Sequence, residues 1–240
     1  MINIQDKTVG EVVAENIKTA HIFKKHGIDF CCGGGTLIKD VCLKKNVDYA
    51  QIQQEIADLE KQVSEAENFN AWELDRLIDY IIDVHHEYVL DALPLLVDYS
   101  QRVASVHGHH YKETIEINKI IFALAEELNA HMGKEETVLF PYIKKLVTAW
   151  KNDIKVEVPH FGSVKNPVLV MENEHETAGE LLKQIAQLSN NYTLPAEACN
   201  TFRALYSILE EFEQDLHQHI HLENNILFPK AIALERSFRS

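Results

Sequence analysis

The sequence predicts an all-α protein organised around a four-helix bundle, and three observations predict it. Glycine and proline are scarce, at 9 and 6 of 240 residues. Apolar residues recur at helical spacing almost throughout. A phrase also returns: HMGKEETVLFP at residues 131–141 and HIHLENNILFP at 219–229 share His, Glu four residues on, an apolar pair, Phe and Pro at matching offsets. A helix pair written twice makes four helices, and modest connections between them favour a bundle.

In chain order, residues 1–63 read as a small module of short helices, with the glycine run Gly33–Gly35 inside it and the helical stretch YAQIQQEIADLEKQV at its end. Residues 64–71, which contain the polar run SEAENFN, break the period and read as a linker. The bundle occupies 72–240. Its four helical segments fall near 72–104, 112–149, 165–190 and 197–235, with the turn-rich KNDIKVEVPHFGSVKNP between the second and third. The repeat extends to the first and third segments, where HEYVLDAL (86–93) aligns with HETAGELL (175–182).

Composition excludes some partners. The formal net charge is −14, which argues against nucleic acid and anionic membrane, since both need a concentrated positive field. No apolar run approaches the length of a membrane span, and the first residues show no export signal. Four cysteines, clustered and few, do not make a disulfide framework, so a cytoplasmic protein is expected.

The repeated polar residues lie on the apolar stripes. Ile117, Ile121, Leu124, Leu128, His131, Glu135, Val138 and Tyr142 step by threes and fours; so do Phe202, Leu205, Leu209, Phe212, Leu216, His219, Glu223 and Ile226. Val168, Met171, His175, Ala178, Leu182 and Ile185 follow suit. On the first segment stripe spacing favours His85, whereas the internal alignment favours His86, which we take. Burying carboxylates and imidazoles without partners costs several kcal/mol per ionised group, on the order of a fold's whole margin. A metal offsets that cost, and residues four apart share a helix face, so each His-x-x-x-Glu offers two donors to one centre.

Four imidazoles and two carboxylates suit two metal ions. With the imidazoles divided two per metal and both carboxylates bridging, an oxo or hydroxo bridge leaves an open position on each octahedral ion. Iron suits these donors, with manganese and zinc as competitors. His107, at the end of the first segment, is a candidate for an additional ligand. His217 and His221 are expected to face away from the core, toward solvent, as is Glu136.

HGIDFCCGGGTLIKD (26–40) is the other unusual stretch. A helix start expected near Thr36 places backbone N–H groups close to Cys31 and Cys32, which would lower a thiol's pKa. The alternative is that the glycines make a tight turn and the cysteines pack as small apolar groups. The pair lacks Cys-x-x-Cys spacing.

Together DFCCGGG, the bundle and the phrases ending in VLFP and ILFP resemble the repair-of-iron-centres family, the ScdA/YtfE type of bacterial iron–sulfur cluster repair di-iron proteins, over nearly the whole chain. The resemblance implies a haemerythrin-like antiparallel four-helix bundle behind a small N-terminal module. It implies di-iron ligands at His86, His131, Glu135, His175, His219 and Glu223, with both Glu bridging. It further implies a cytoplasmic homodimer that restores damaged iron–sulfur proteins after nitrosative or oxidative stress, and a redox or iron-transfer role for Cys31 and Cys32. An NO-reducing enzyme and a reversible O₂ or NO sensor are the alternative expectations.

Overall fold

The computed structural model describes residues 4, 6–62 and 68–238. They form two compact units interleaved along the sequence. One draws on the chain up to Ile78, on Leu146–Val156 and on the chain from His217; the other on Asp79–Lys145 and Glu157–Leu216.

The first unit contains α1 (Val9–Glu15), α2 (Ala20–Lys25), α3 (Ile38–Lys45) and α4 (Tyr49–Gln62). A capping box starts α1: the Thr8 hydroxyl accepts from the Glu11 N–H at 3.1 Å, and the Glu11 carboxylate accepts from the Thr8 N–H at 2.7 Å. Backbone bonds then fasten the glycine loop to this helix, from Val9 N–H to Thr36 O (3.0 Å) and from Gly10 N–H to Gly34 O (2.7 Å). Val9, Val13, Phe23, Ile38 and Ile52 are wholly buried and form its core.

The long helices run as α5 (Leu74–Tyr80) and α6 (Glu87–His107), α7 (Glu113–Lys134) and α8 (Phe140–Lys151), α9 (Lys165–Leu188), then α10 (Asn200–Leu222) and α11 (Phe228–Ser237). Within the second unit α6 packs on α7 and α7 on α9, while Tyr88 of α6 meets Phe212 of α10 at a ring separation of 6.3 Å. The four segments expected from the sequence are therefore helical, and the chain is all-α. Among the described residues, no helix is long and apolar enough to cross a membrane.

Three of the four long segments are not continuous α-helix. Each passes through a π-helical turn: π1 (Ile81–His86), π2 (Glu135–Leu139) and π3 (Glu223–Leu227). A π turn takes in more than 3.6 residues and moves the register of the residues beyond it, a feature common at functional sites. Here the register shift is visible. The 3.6 spacing expects Val138 on the core stripe, but Val138 is half-buried and Leu139 and Phe140 are each 1% exposed.

Candidate metal centre

π2 and π3 both begin on a glutamate of the repeated phrase, and π1 ends on His86. In the second unit His86, His131, Glu135 and His175 are all buried. His131, Glu135 and His175 bring one ligand atom each to within 4.8 Å of one another. Glu135 Oε2 lies 3.3 Å from His131 Nε2 and 3.4 Å from His86 Nε2, and the Nε2 atoms of His131 and His175 stand 3.0 Å apart. Glu135 is 0% exposed, and neither carboxylate oxygen receives a hydrogen bond among the described residues.

The rings are aimed by carboxylates behind them. His86 Nδ1 donates to Glu136 Oε1 at 2.7 Å, and His131 Nδ1 donates to Glu174 Oε2 at 2.9 Å. A carboxylate only accepts, so the proton sits on Nδ1 and each Nε2 turns its lone pair toward Glu135, the tautomer a metal ligand needs. Lys134 in turn pairs with Glu174. Burial pushes the Glu174 carboxyl up, but the hydrogen bonds from Lys134 and His131 outweigh it and leave it below the usual carboxylate range.

Glu136 thus corrects the sequence expectation. It is exposed, yet it is not merely solvated, because its carboxylate fixes the His86 ring. Helical rotation alone missed it, since the partner lies on another helix. Both members of the His85–His86 pair are buried at 1% exposure. They part company in their bonds: His85 Nδ1 meets Asp215 at 2.9 Å, whereas His86 faces Glu135. His107 is not drawn into this cluster; its Nε2 lies 3.1 Å from Cys199 Sγ.

The second copy of the phrase lies in the first unit. His219 Nε2 stands 3.3 Å from Glu223 Oε1, with both residues at 1% exposure or less. His221 is the clearest correction: expected in solvent, it is 0% exposed. It and half-buried His217 carry the Phe30 ring at 6.0 Å each. Asn225 donates to the carbonyl oxygens of Cys31 and Phe30 at 3.1 and 3.4 Å. Burial pushes the His221 imidazole down to about 4, so it is neutral under the loop. The helix face opposite His219 and Glu223 is therefore covered by the N-terminal module. The glycines permit this approach, since a Cβ on Gly10 would stand 2.5 Å from Asn225 Oδ1 and one on Gly34 2.5 Å from Phe30 O.

Of the two readings of the cysteine pair, burial favours packing for Cys31 alone. Cys31 is buried and Cys32 exposed. Helix α3 starts at Ile38, and the Cys31 thiol is not lowered by it. The hydrogen bond with Cys32, then burial, then the charge of Asp29 push it well above the usual thiol range.

Comparison with known proteins agrees with this geometry. The haemerythrin HHE cation-binding domain family matches residues 77–231, and an N-terminal ScdA-type domain, described as of unknown function, matches residues 5–60. The iron-sulfur cluster repair protein YtfE of Enterobacter sp. (strain 638) is 36% identical over 231 residues, covering 96% of this chain and 99% of the relative. Those of Escherichia coli O81 (strain ED1a) and Escherichia fergusonii match with the same identity and coverage. By its haemerythrin-type helices, its ScdA-type N-terminal domain and this end-to-end similarity, the chain belongs to the YtfE family of iron-sulfur cluster repair proteins.

Proposed function

We propose that this protein repairs iron–sulfur clusters damaged by nitrosative or oxidative stress, by supplying iron from a di-iron centre held by His86, His131, Glu135, His175, His219 and Glu223. Glu135 carries the reading: a wholly buried carboxylate without a hydrogen-bond donor among the described residues, flanked by two imidazoles aimed at it. Each unit supports it by itself: in the second, His131, Glu135 and His175 bring ligand atoms within 4.8 Å of one another, and in the first His219 Nε2 stands 3.3 Å from Glu223 Oε1.

The donor types suit release. Two carboxylates against two ferrous ions leave two positive charges unneutralised, and ferrous iron binds imidazole and carboxylate less tightly than later first-row metals do. Bound iron would supply redox and Lewis-acid chemistry. The chain's own part is to orient the His86 and His131 rings through Glu136 and Glu174.

The relatives' names speak for repair rather than for NO reduction or reversible O₂ or NO sensing. The same reading makes damaged iron–sulfur proteins the clients and NO or O₂ a small ligand of the centre. It takes the protein as a cytoplasmic homodimer and gives Cys31 and Cys32 a redox or iron-transfer role. It divides the chain into a module (1–63), a linker (64–71) and a bundle (72–240), of which residues 1–3, 5, 63–67 and 239–240 lie outside the described residues.

The test is reactivation of an NO-damaged cluster enzyme. Iron-loaded protein should outperform an equal amount of free ferrous iron; equal performance would end the proposal.

A further inference from the structure

The loop that rests on Asn225 carries three metal-ligating groups outside the His/Glu cluster. Asp29, Cys31 and Cys32 each present a ligand atom, all within 4.8 Å of one another. Cys31 Sγ lies 4.0 Å from Cys32 Sγ and 3.2 Å from Asp29 Oδ1. A tetrahedral ion with metal–sulfur bonds of about 2.3 Å and metal–oxygen bonds of about 2.0 Å sets its sulfurs roughly 3.8 Å apart and sulfur and oxygen roughly 3.5 Å apart. The two spacings at Cys31 therefore stand within about 0.3 Å of what one ion needs, and the third donor pair lies within 4.8 Å.

We propose that Asp29, Cys31 and Cys32 form an open site for one thiophilic divalent cation of the ferrous or zinc class, separate from the His/Glu centre. Two sulfur donors select for such ions over magnesium or calcium. Three protein donors leave a fourth position, and the site opens on one side, because Asp29 and Cys32 are exposed while Cys31 is buried. Structural zinc sites are closed by four protein ligands, whereas a site with a vacant position exchanges what it holds.

The support behind the donors is rigid. Asp29 Oδ1 accepts from the N–H groups of Cys31 and Cys32 at 2.9 and 3.1 Å. Asn225, two residues beyond Glu223 on π3, holds the Phe30 and Cys31 carbonyls from below. On loading, the ion takes both sulfurs as thiolates together with the Asp29 carboxylate. Two thiol protons leave to solvent, so one divalent ion entering changes the net charge of the loop by zero.

The bland explanation is that Asp29 only caps a turn and the thiols only pack, and it predicts no metal. Cobalt(II) alone separates the two when added anaerobically to the full-length, iron-loaded, reduced protein. The proposal expects one further metal per chain and an intense near-ultraviolet thiolate-to-cobalt band, which histidine and carboxylate donors cannot give. Cys32→Ser should abolish the band. Asp29→Asn keeps the capping oxygen, and so the turn, but should weaken cobalt binding at least about tenfold, the low end of what even an outer-shell partner contributes. Both variants change exposed residues and should retain their iron. No band, or a band unchanged in both variants, would overturn the site. Because the band reports sulfur donors, it stands or falls independently of the di-iron assignment.

Discussion

The two copies of the repeated phrase agree at the buried His and Glu and in the Leu-Phe-Pro that ends each, and they diverge in what covers them. His131 and Glu135, like His219 and Glu223, are buried at 2% exposure or less, and each glutamate opens a π turn. Between them the first copy places Gly133, exposed Glu136 and exposed Thr137 where the second places wholly buried His221 and half-buried Asn224 and Asn225. In the first copy the outer face meets water and lends Glu136 to His86 on another helix; in the second it is roofed by the N-terminal loop. Shared positions thus mark what both halves do, and departures mark what covers each half.

The sharpest way to break the shared part is Glu135→Gln. It keeps the volume but removes the charge at a position that is 0% exposed. Iron should fall below one per chain, read by metal analysis of protein that remains helical by circular dichroism. Full occupancy would show that the glutamate is no ligand.

Next in size are the carboxylates behind the rings. Glu136→Gln and Glu174→Gln should each weaken iron binding roughly 10- to 100-fold, the usual cost of losing an outer-shell partner. A chelator competition titration measures both.

The divergent part has a smaller, thermodynamic signature. Asn225→Ala removes the bonds to the Phe30 and Cys31 carbonyls and should cost about 1–3 kcal/mol in denaturant unfolding. At the matching position the Thr137 hydroxyl donates, among the described residues, to the Gly133 carbonyl of its own turn, and Thr137→Ala should stay within about 0.5 kcal/mol. Equal effects would mean that the loop does not depend on its roof contacts. Smallest of all, His107→Ala should leave iron content untouched, since that ring pairs with Cys199.

Much of this was legible in the sequence because two periodicities coincide. The apolar stripe places His131, Glu135, His175, His219 and Glu223 in the interior, and the repeat pairs them; all five are buried. What failed was rotation at a fixed 100° per residue. The π turns change register, which is why Leu139 rather than Val138 faces inward and why adjacent His85 and His86 are both enclosed. Partners on other helices were out of reach for the same method: Glu136 looked solvated because nothing local shows His86 opposite it. His221 was misread because helical phase says which way a side chain points, not what comes to cover it. The replacement of Gly133 by His221 between matching ligands was the available signal.

The central claim, that the two copies contribute equally to one two-metal centre, is tested most directly by iron per chain and the near-ultraviolet spectrum of His131→Ala beside His219→Ala. The account predicts two irons in the unaltered protein and the same collapse of iron and of oxo-to-iron absorption in both variants, although one lies in the open copy and the other in the roofed one. Retention of both irons and an unchanged spectrum in either variant would contradict it, because that copy would then be a buried hydrogen-bonding network and not half of a metal site.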